Sequence, residues 1–408
     1  MMRLTTLANG LRVASRTMPS VETIAVGLYA PTGSRFETAD KNGLAHLFEH
    51  MVFKGAGGMS AREISEKVED VGGDLNASTD REMTAFYLSL LADDLPMGVG
   101  MLADLIRRPH FEARHLALEK KVVLQELAEA NDTPSDLVFD LLQEVAYPDQ
   151  PLGRPVLGDT DTIGNITVDD LSDWLQTQYP ASSLLLVAAG KLDHDRLVDC
   201  AEAAFGTMAA GTRAVAAPAH FGGGVKSEAL RGAQAHIALA MPAPAWGADG
   251  HHAAHLFADV VGGGASSQLF QRLREDQGLA YSVSAATAPY ADAGMFYAYA
   301  AVDKGDAEHA RAEVEAVLAD AAQTLTQRDL ERARAMAKAG MMMSLESCWG
   351  QASYLATRLI REGHFVEPHV IVERLDAVTL DAVRAAGRQM LSGPRALASV
   401  GAKLEFAA

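Results

Sequence analysis

Cysteine is scarce in this sequence: two residues, Cys200 and Cys348, in 408. They stand far apart and in no metal-ligand spacing, so a disulfide framework is excluded and a reducing compartment is expected. Basic residues are in deficit, 35 Lys and Arg against 53 Asp and Glu, for a formal net charge of -18. That disfavours nucleic acid as a partner, because a phosphate backbone demands clustered cations. No run approaches the ~18 apolar residues of a spanning helix. The opening stretch, MMRLTTLANGLRV, has no apolar signal-like core. The expectation is a soluble, cytoplasmic protein with no membrane association. What is present is globular: 49% hydrophobic and 22% charged residues argue against disorder. A length of 408 residues exceeds what one hydrophobic core supports, so at least two domains are expected.

Asn9-Gly10 between Arg3–Leu7 and Leu11–Ser15 predicts a tight β-hairpin. Thr23–Tyr29 alternates as a strand, and Gly43–Phe53 has helical spacing. Ser60 and Glu63 form a capping box that opens a helix running roughly to Val71. Strands follow near Asp74–Ser78 and Thr84–Leu91, then helices near Asp94–Arg107 and Glu112–Ala130. Ser183–Ala189 is a short buried strand ended by Gly190. The Ala- and Gly-rich stretch 209–224 reads as a linker. Beyond it come a strand at Gln234–Met241, a helix at Gly250–Val261, and strands at Tyr281–Thr287 and Met295–Val302. Helical segments fill most of the rest.

The order of elements repeats across the linker, and so do local sequences. Ala45-His46-Leu47-Phe48 is echoed by Ala254-His255-Leu256-Phe257, Thr79 by Thr287, and Phe86-Tyr87 by Phe296-Tyr297. The nearly constant offset points to a duplicated unit. The expected architecture is α+β, with two homologous domains, each a mostly antiparallel sheet packed with helices. They would span residues 1–208 and 225–408. Glu49 and His50 have become Ala258 and Asp259 in the copy, so one half retains a motif that the other has lost.

That motif is His46-Leu47-Phe48-Glu49-His50, H-x-x-E-H. Histidines four apart share a helix face and can reach one ion, with Glu49 on the same side as a general base. Imidazole pairs suit zinc, which in catalytic sites takes three protein ligands, and this order is the inverse of H-E-x-x-H. The same residues would also suit an exposed amphipathic helix. A third ligand must come from elsewhere, and spacing leaves Glu119, Glu126 and Glu129 all open.

GLAHLFEHMVFKG (43–55), GGDLNASTDREMTAFY (72–87) and EKKVVLQELAEANDTPSD (119–136) together resemble the pitrilysin/insulinase family of zinc metallopeptidases. The likeness is to its short-chain bacterial type, similar to the mitochondrial processing peptidase β-subunit, and it covers essentially the whole chain. It implies one Zn2+ per chain on His46, His50 and Glu126, with Glu119 behind the ligands and Glu49 as catalytic base. It implies that Asn76 and Ala77 pair with the backbone of an extended substrate. It implies that Arg274 and Tyr281 bind substrate carbonyls and steady the tetrahedral intermediate, and that Asp136 and Asp140 accept a substrate arginine. Because the chain carries both the zinc motif and the Arg–Tyr pair, a homodimer is expected in which each subunit completes the other's site around a chamber. The rival is a non-catalytic chamber-forming subunit, or a processing subunit that needs a different partner chain. Gly262-Gly263-Gly264 could cradle phosphate, but it lacks the P-loop lysine and spacing.

Overall fold

The first hairpin joins β1 (Met2–Thr6) to β2 (Arg12–Thr17), but through a wider connection than a two-residue turn. Leu7 N–H donates to Leu11 O at 2.9 Å, and Gly10 takes the positive φ, +89°. Gly10 N–H donates back to Leu7 O at 2.9 Å, so the expected tight hairpin is present as a three-residue loop with its glycine in the left-handed region. The Asn9 amide anchors that loop by donating to Phe205 O and Met208 O, at 2.8 and 3.2 Å.

The structure is a computed structural model and describes residues 2–406. The remaining strands are β3 (Thr23–Ala30), β4 (Gly55–Ala56), β5 (Met59–Ser60), β6 (Asp74–Thr79), β7 (Thr84–Leu91), β8 (Leu185–Gly190), β9 (Gly224–Glu228), β10 (Gln234–Pro242), β11 (Ala280–Pro289), β12 (Gly294–Asp303) and β13 (Ala396–Val400). The helices are α1 (Leu44–Val52), α2 (Ala61–Glu69), α3 (Leu95–Arg107), α4 (Ala113–Asp132), α5 (Pro134–Ala146), α6 (Thr160–Asn165), α7 (Val168–Gln178), α8 (His194–Phe205), α9 (His251–Gly262), α10 (Ala307–Thr324), α11 (Gln327–Ser344), α12 (Cys348–Arg361), α13 (Pro368–Ala377) and α14 (Leu380–Leu391). No helix among the described residues is long and apolar enough to cross a membrane.

Packing divides the chain into two units. The first holds the chain up to Leu127, Pro155–Ala217 and Met343–Phe365; the second holds Ala128–Arg154, Pro218–Met342 and the chain from Val366. The first sheet has the order β1-β2-β8-β3-β7-β6 and the second β11-β12-β10-β13-β9. Read from the opposite end, the first runs β6-β7-β3-β8-β2, matching the second strand for strand, and β1 is an addition. Each sheet contains a single parallel pair, β2/β8 and β13/β9, at the matching place. The structure therefore contains one α+β architecture twice, each copy an antiparallel-rich sheet with helices on it.

Both sheets are covered on both faces. In the first, Val26, Leu28, Phe86 and Leu88 pack on Leu47, Phe48 and Met51 of α1 and on Leu102 and Leu105 of α3. The other face carries small residues, Ala14, Ala25, Ala85 and Ala189, which let α12 approach with Ala352, Leu355, Ala356 and Leu359. In the second sheet, Ala238, Ala240 and Ala398 receive Val138, Leu142 and Ala146 of α5 in the same way. Each outer-face helix thus comes from the other half of the sequence. Each buried Leu or Val contributes about 1.5–3 kcal/mol. A single cut of the chain at 209–224 does not describe this packing. Residues 209–223 carry neither helix nor strand, but β9 begins at Gly224. β13 was not anticipated in a stretch read as helical. Its residues, Ala-Leu-Ala-Ser-Val, are all buried and so show no alternation.

Candidate metal centre and substrate edge

α1 opens on Gly43 in the left-handed region, φ +93°. A Cβ there would meet Leu157 O at 2.7 Å, so the position requires glycine. Glu37, itself buried, accepts from Gly43 N–H at 3.0 Å and Ala45 N–H at 2.6 Å. These bonds satisfy orphan donors of the helix start and add a charge favourable to the dipole. Leu44, Ala45, Leu47, Phe48, Met51 and Val52 are buried. The unburied stripe that remains is His46, Glu49 and His50, one helix face by their spacing.

α4 brings Glu119 and Glu126 to these histidines. Glu126 Oε2 lies 3.5 Å from His50 Nε2 and 3.9 Å from His46 Nε2. Donor atoms of His46, His50 and Glu126 all lie within 4.8 Å of one another, a grouping that could hold a metal ion. Glu119 is buried behind them, its Oε2 3.2 Å from His50 Nδ1 and its Oε1 3.0 Å from Lys54 Nζ. Glu129 is exposed and outside the group. The two imidazoles stand edge to face at 4.6 Å. Burial, then the neighbouring His50, pushes His46 down to about 4, so its ring is neutral near neutrality.

Glu49 points at the sheet. Its Oε2 accepts from Thr79 Oγ1–H at 2.5 Å. Burial pushes its carboxyl up, while that hydrogen bond and His50 hold it back. Thr79 closes β6, the edge strand of the first sheet. Asp80 N–H donates to Met83 O at 2.8 Å, and pairing alternates from there along Thr79↔Thr84, Ser78↔Ala85, Ala77↔Phe86 and Asn76↔Tyr87. Leu75, Ala77 and Thr79 therefore turn their N–H and C=O groups to the open edge. Ala77 N–H meanwhile donates to Asn76 Oδ1 at 2.8 Å, a bond that an incoming strand could replace.

In the second unit, Arg274 and Tyr281 are neighbours. Arg274 Nη1 donates to Tyr281 O at 3.0 Å, at a bulge of β11. The Tyr281 hydroxyl donates to Asp303 Oδ1 at 3.2 Å, and its ring is 55% exposed. Asp136 and Asp140 share a face of α5 in this same unit. The degenerate copy of the motif keeps His255, with Asp259 in place of the second histidine, 3.6 Å from it. A metal group including them is not found among the described residues.

Sequence reasoning did not single out three residues that shape the cluster: Thr79 on Glu49, Lys54 on Glu119 and Glu37 at the start of α1. Thr79 could have been reached from the alternation of Leu75, Ala77 and Thr79, which puts it on the α1 face. Lys54 lies four residues from His50. Nothing local marks Glu37.

Residues 12–160 match the family model described as insulinase (peptidase family M16), and residues 165–337 match that described as the peptidase M16 inactive domain. The chain is 30% identical over 396 residues to an uncharacterized zinc protease of Rickettsia felis, covering 97% of this chain and 96% of that one. It is 31% identical over 402 residues to an uncharacterized zinc protease of Bacillus subtilis, covering 98% of each. The fold matches the crystal structure of a protease from Helicobacter pylori at TM-score 0.91 and 20% identity, covering 98% of this chain and 99% of that one. It also matches a peptidase M16 inactive domain structure from Pseudomonas fluorescens at TM-score 0.92 and 20% identity, covering 100% and 99%. With relatives at 30% identity or more spanning nearly its whole length, the chain belongs to the insulinase family of peptidases, family M16.

Proposed function

We propose that this protein is a zinc-dependent endopeptidase that holds peptide as an extended strand along β6 and hydrolyses it with Glu49 as general base. The observation that carries this reading is the convergence of His46, His50 and Glu126 beside a carboxylate bonded to the last residue of an open sheet edge.

The donor set fits zinc. Ligand bonds of ~2.0–2.1 Å give a tetrahedron edges of roughly 3.3–3.4 Å. The Glu126–histidine separations of 3.5 and 3.9 Å are near that, and too long for hydrogen bonds. The two histidines and one carboxylate leave a fourth position open, and Glu119 fixes His50 through its other nitrogen. Bound there, zinc would supply Lewis-acid polarisation of the scissile carbonyl and acidify the attacking water.

The chain's own residues do the rest. Glu49 accepts the proton of the water as its oxygen attacks the carbonyl carbon. It returns that proton to the amide nitrogen as the C–N bond breaks. Thr79 fixes one carboxylate oxygen and aims the other. Because Thr79 also ends β6, the base is tied to the strand that registers the substrate. The open-edge groups of Leu75, Ala77 and Thr79 pair with peptide backbone, which holds substrate without regard to its side chains. By family resemblance, Arg274 and Tyr281 bind carbonyl oxygens, and Asp136 and Asp140 receive a substrate arginine. The same resemblance supports a homodimer whose subunits complete each other's sites, with one Zn2+ per chain.

Two expected results follow from the edge. Ala77→Pro removes an outward N–H while sparing the ladder to β7. It should lower kcat/KM about tenfold, mainly through KM, with little change in melting temperature. Thr79→Val should lower kcat roughly 10–100-fold, whereas Thr79→Ser should restore most of it; steady-state kinetics read both. Equal loss in the valine and serine variants would remove the hydroxyl from the mechanism. The function itself is tested with zinc-loaded protein on a panel of fluorogenic peptides with and without arginine. Metal-dependent cleavage is expected, and inactivity across the panel would overturn the proposal.

A further inference from the structure

On the face of the first sheet opposite α1, an aromatic pair stands one strand in from the open edge. Tyr87 of β7 is the cross-strand partner of Asn76. Its ring lies 4.0 Å, centroid to centroid, from that of Trp349, the second residue of α12. Tyr87 is half-buried and Trp349 remains 37% exposed, where Ala14, Ala25, Ala85 and Ala189 on the same face are buried against α12. The strand between the pair and the edge carries only Asp74, Asn76 and Ser78 on this face, all short and exposed. The result is a shallow trough with an aromatic inner wall.

From this geometry we infer that Tyr87 and Trp349 form a subsite for a large aromatic side chain of the peptide. The inference rests on the proposed binding of substrate along β6. Side chains of an added strand alternate between faces. Those opposite Ala77 turn toward α1 and the histidines. The one opposite Asn76 turns toward the aromatic pair, with its Cβ about 5 Å from that of Asn76 and roughly 10 Å from that of Tyr87. An alanine there reaches nothing. A phenylalanine or tryptophan crosses Asn76 and meets the exposed rings in offset or edge-to-face contact.

The test is a peptide series in which one phenylalanine is moved through an alanine background around a fixed, mass-mapped cleavage site. At a single position, phenylalanine should raise kcat/KM roughly tenfold over alanine in the zinc-loaded enzyme. Trp349→Ala should bring that ratio near one, and Tyr87→Phe, which keeps the ring, should preserve it. A ratio within one variant is insensitive to the fraction folded. An unchanged ratio in Trp349→Ala overturns the subsite. Arginine or lysine outrunning phenylalanine at that position overturns the aromatic class in favour of a cation over the rings. Absence of any cleavage by the wild type would defeat the peptidase reading itself, a distinct failure.

Discussion

Glu49→Gln is expected to keep its metal and lose turnover, with kcat lowered about 10²–10⁴-fold, roughly 3–5 kcal/mol of barrier. The substitution is close to isosteric. The glutamine carbonyl can still accept from Thr79 Oγ1–H, so α1 and the end of β6 should stay as they are. Glu49 is also not among the converging donors, which come from His46, His50 and Glu126. What disappears is the capacity to take a proton. Metal content and peptide cleavage measured on one preparation separate the roles: zinc retained at wild-type stoichiometry, KM little changed and kcat collapsed. Full cleavage with zinc bound would mean that some other group takes the proton. Loss of zinc would mean that Glu49 helps to hold the ion.

Much of this site was legible because its residues lie close in sequence. His46, Glu49 and His50 lie within little more than one turn of a helix, and 3.6-residue periodicity alone places them together. The strand at 74–79 was legible from its short side chains after two glycines, but only the family resemblance singled out Asn76 and Ala77 on it. The duplication was legible from three echoes in register, and the two sheets carry it strand for strand. The third acidic donor was not readable from spacing, because Glu119, Glu126 and Glu129 all lie on one long helix. Only the position of α4 against α1 separates them. The exchange of α5 and α12 was not readable either. An amphipathic helix announces that it has an apolar face, not which sheet it covers. Alanines on the outer faces, Ala14, Ala25 and Ala85 in one unit and Ala238, Ala240 and Ala398 in the other, accept such helices but name no partner. β13 escaped because a strand buried on both faces has no period-two signal.

Removing Glu126 and removing Glu119 should have different consequences, and the order of effects tests the proposed ligand set. Glu126→Ala takes away the only carboxylate among the described residues that converges with both imidazole Nε2 atoms, leaving two histidines on one helix face. Zinc affinity should fall by several orders of magnitude, and the zinc-dependent rise in melting temperature expected of the wild type should vanish, since stabilisation by a ligand scales with its binding to the folded state. Glu119→Gln should cost less, about 10–100-fold in affinity. Glu119 acts through His50 Nδ1, which its amide oxygen can still accept from. The lost charge weakens that contact and takes the carboxylate partner from the Lys54 ammonium. Glu129→Gln should leave affinity where it is. Competition with a chromophoric chelator at fixed pH measures all three. If Glu119→Gln cost as much as Glu126→Ala, Glu119 would have to be a ligand itself, and α4 would have to present both carboxylates to the ion.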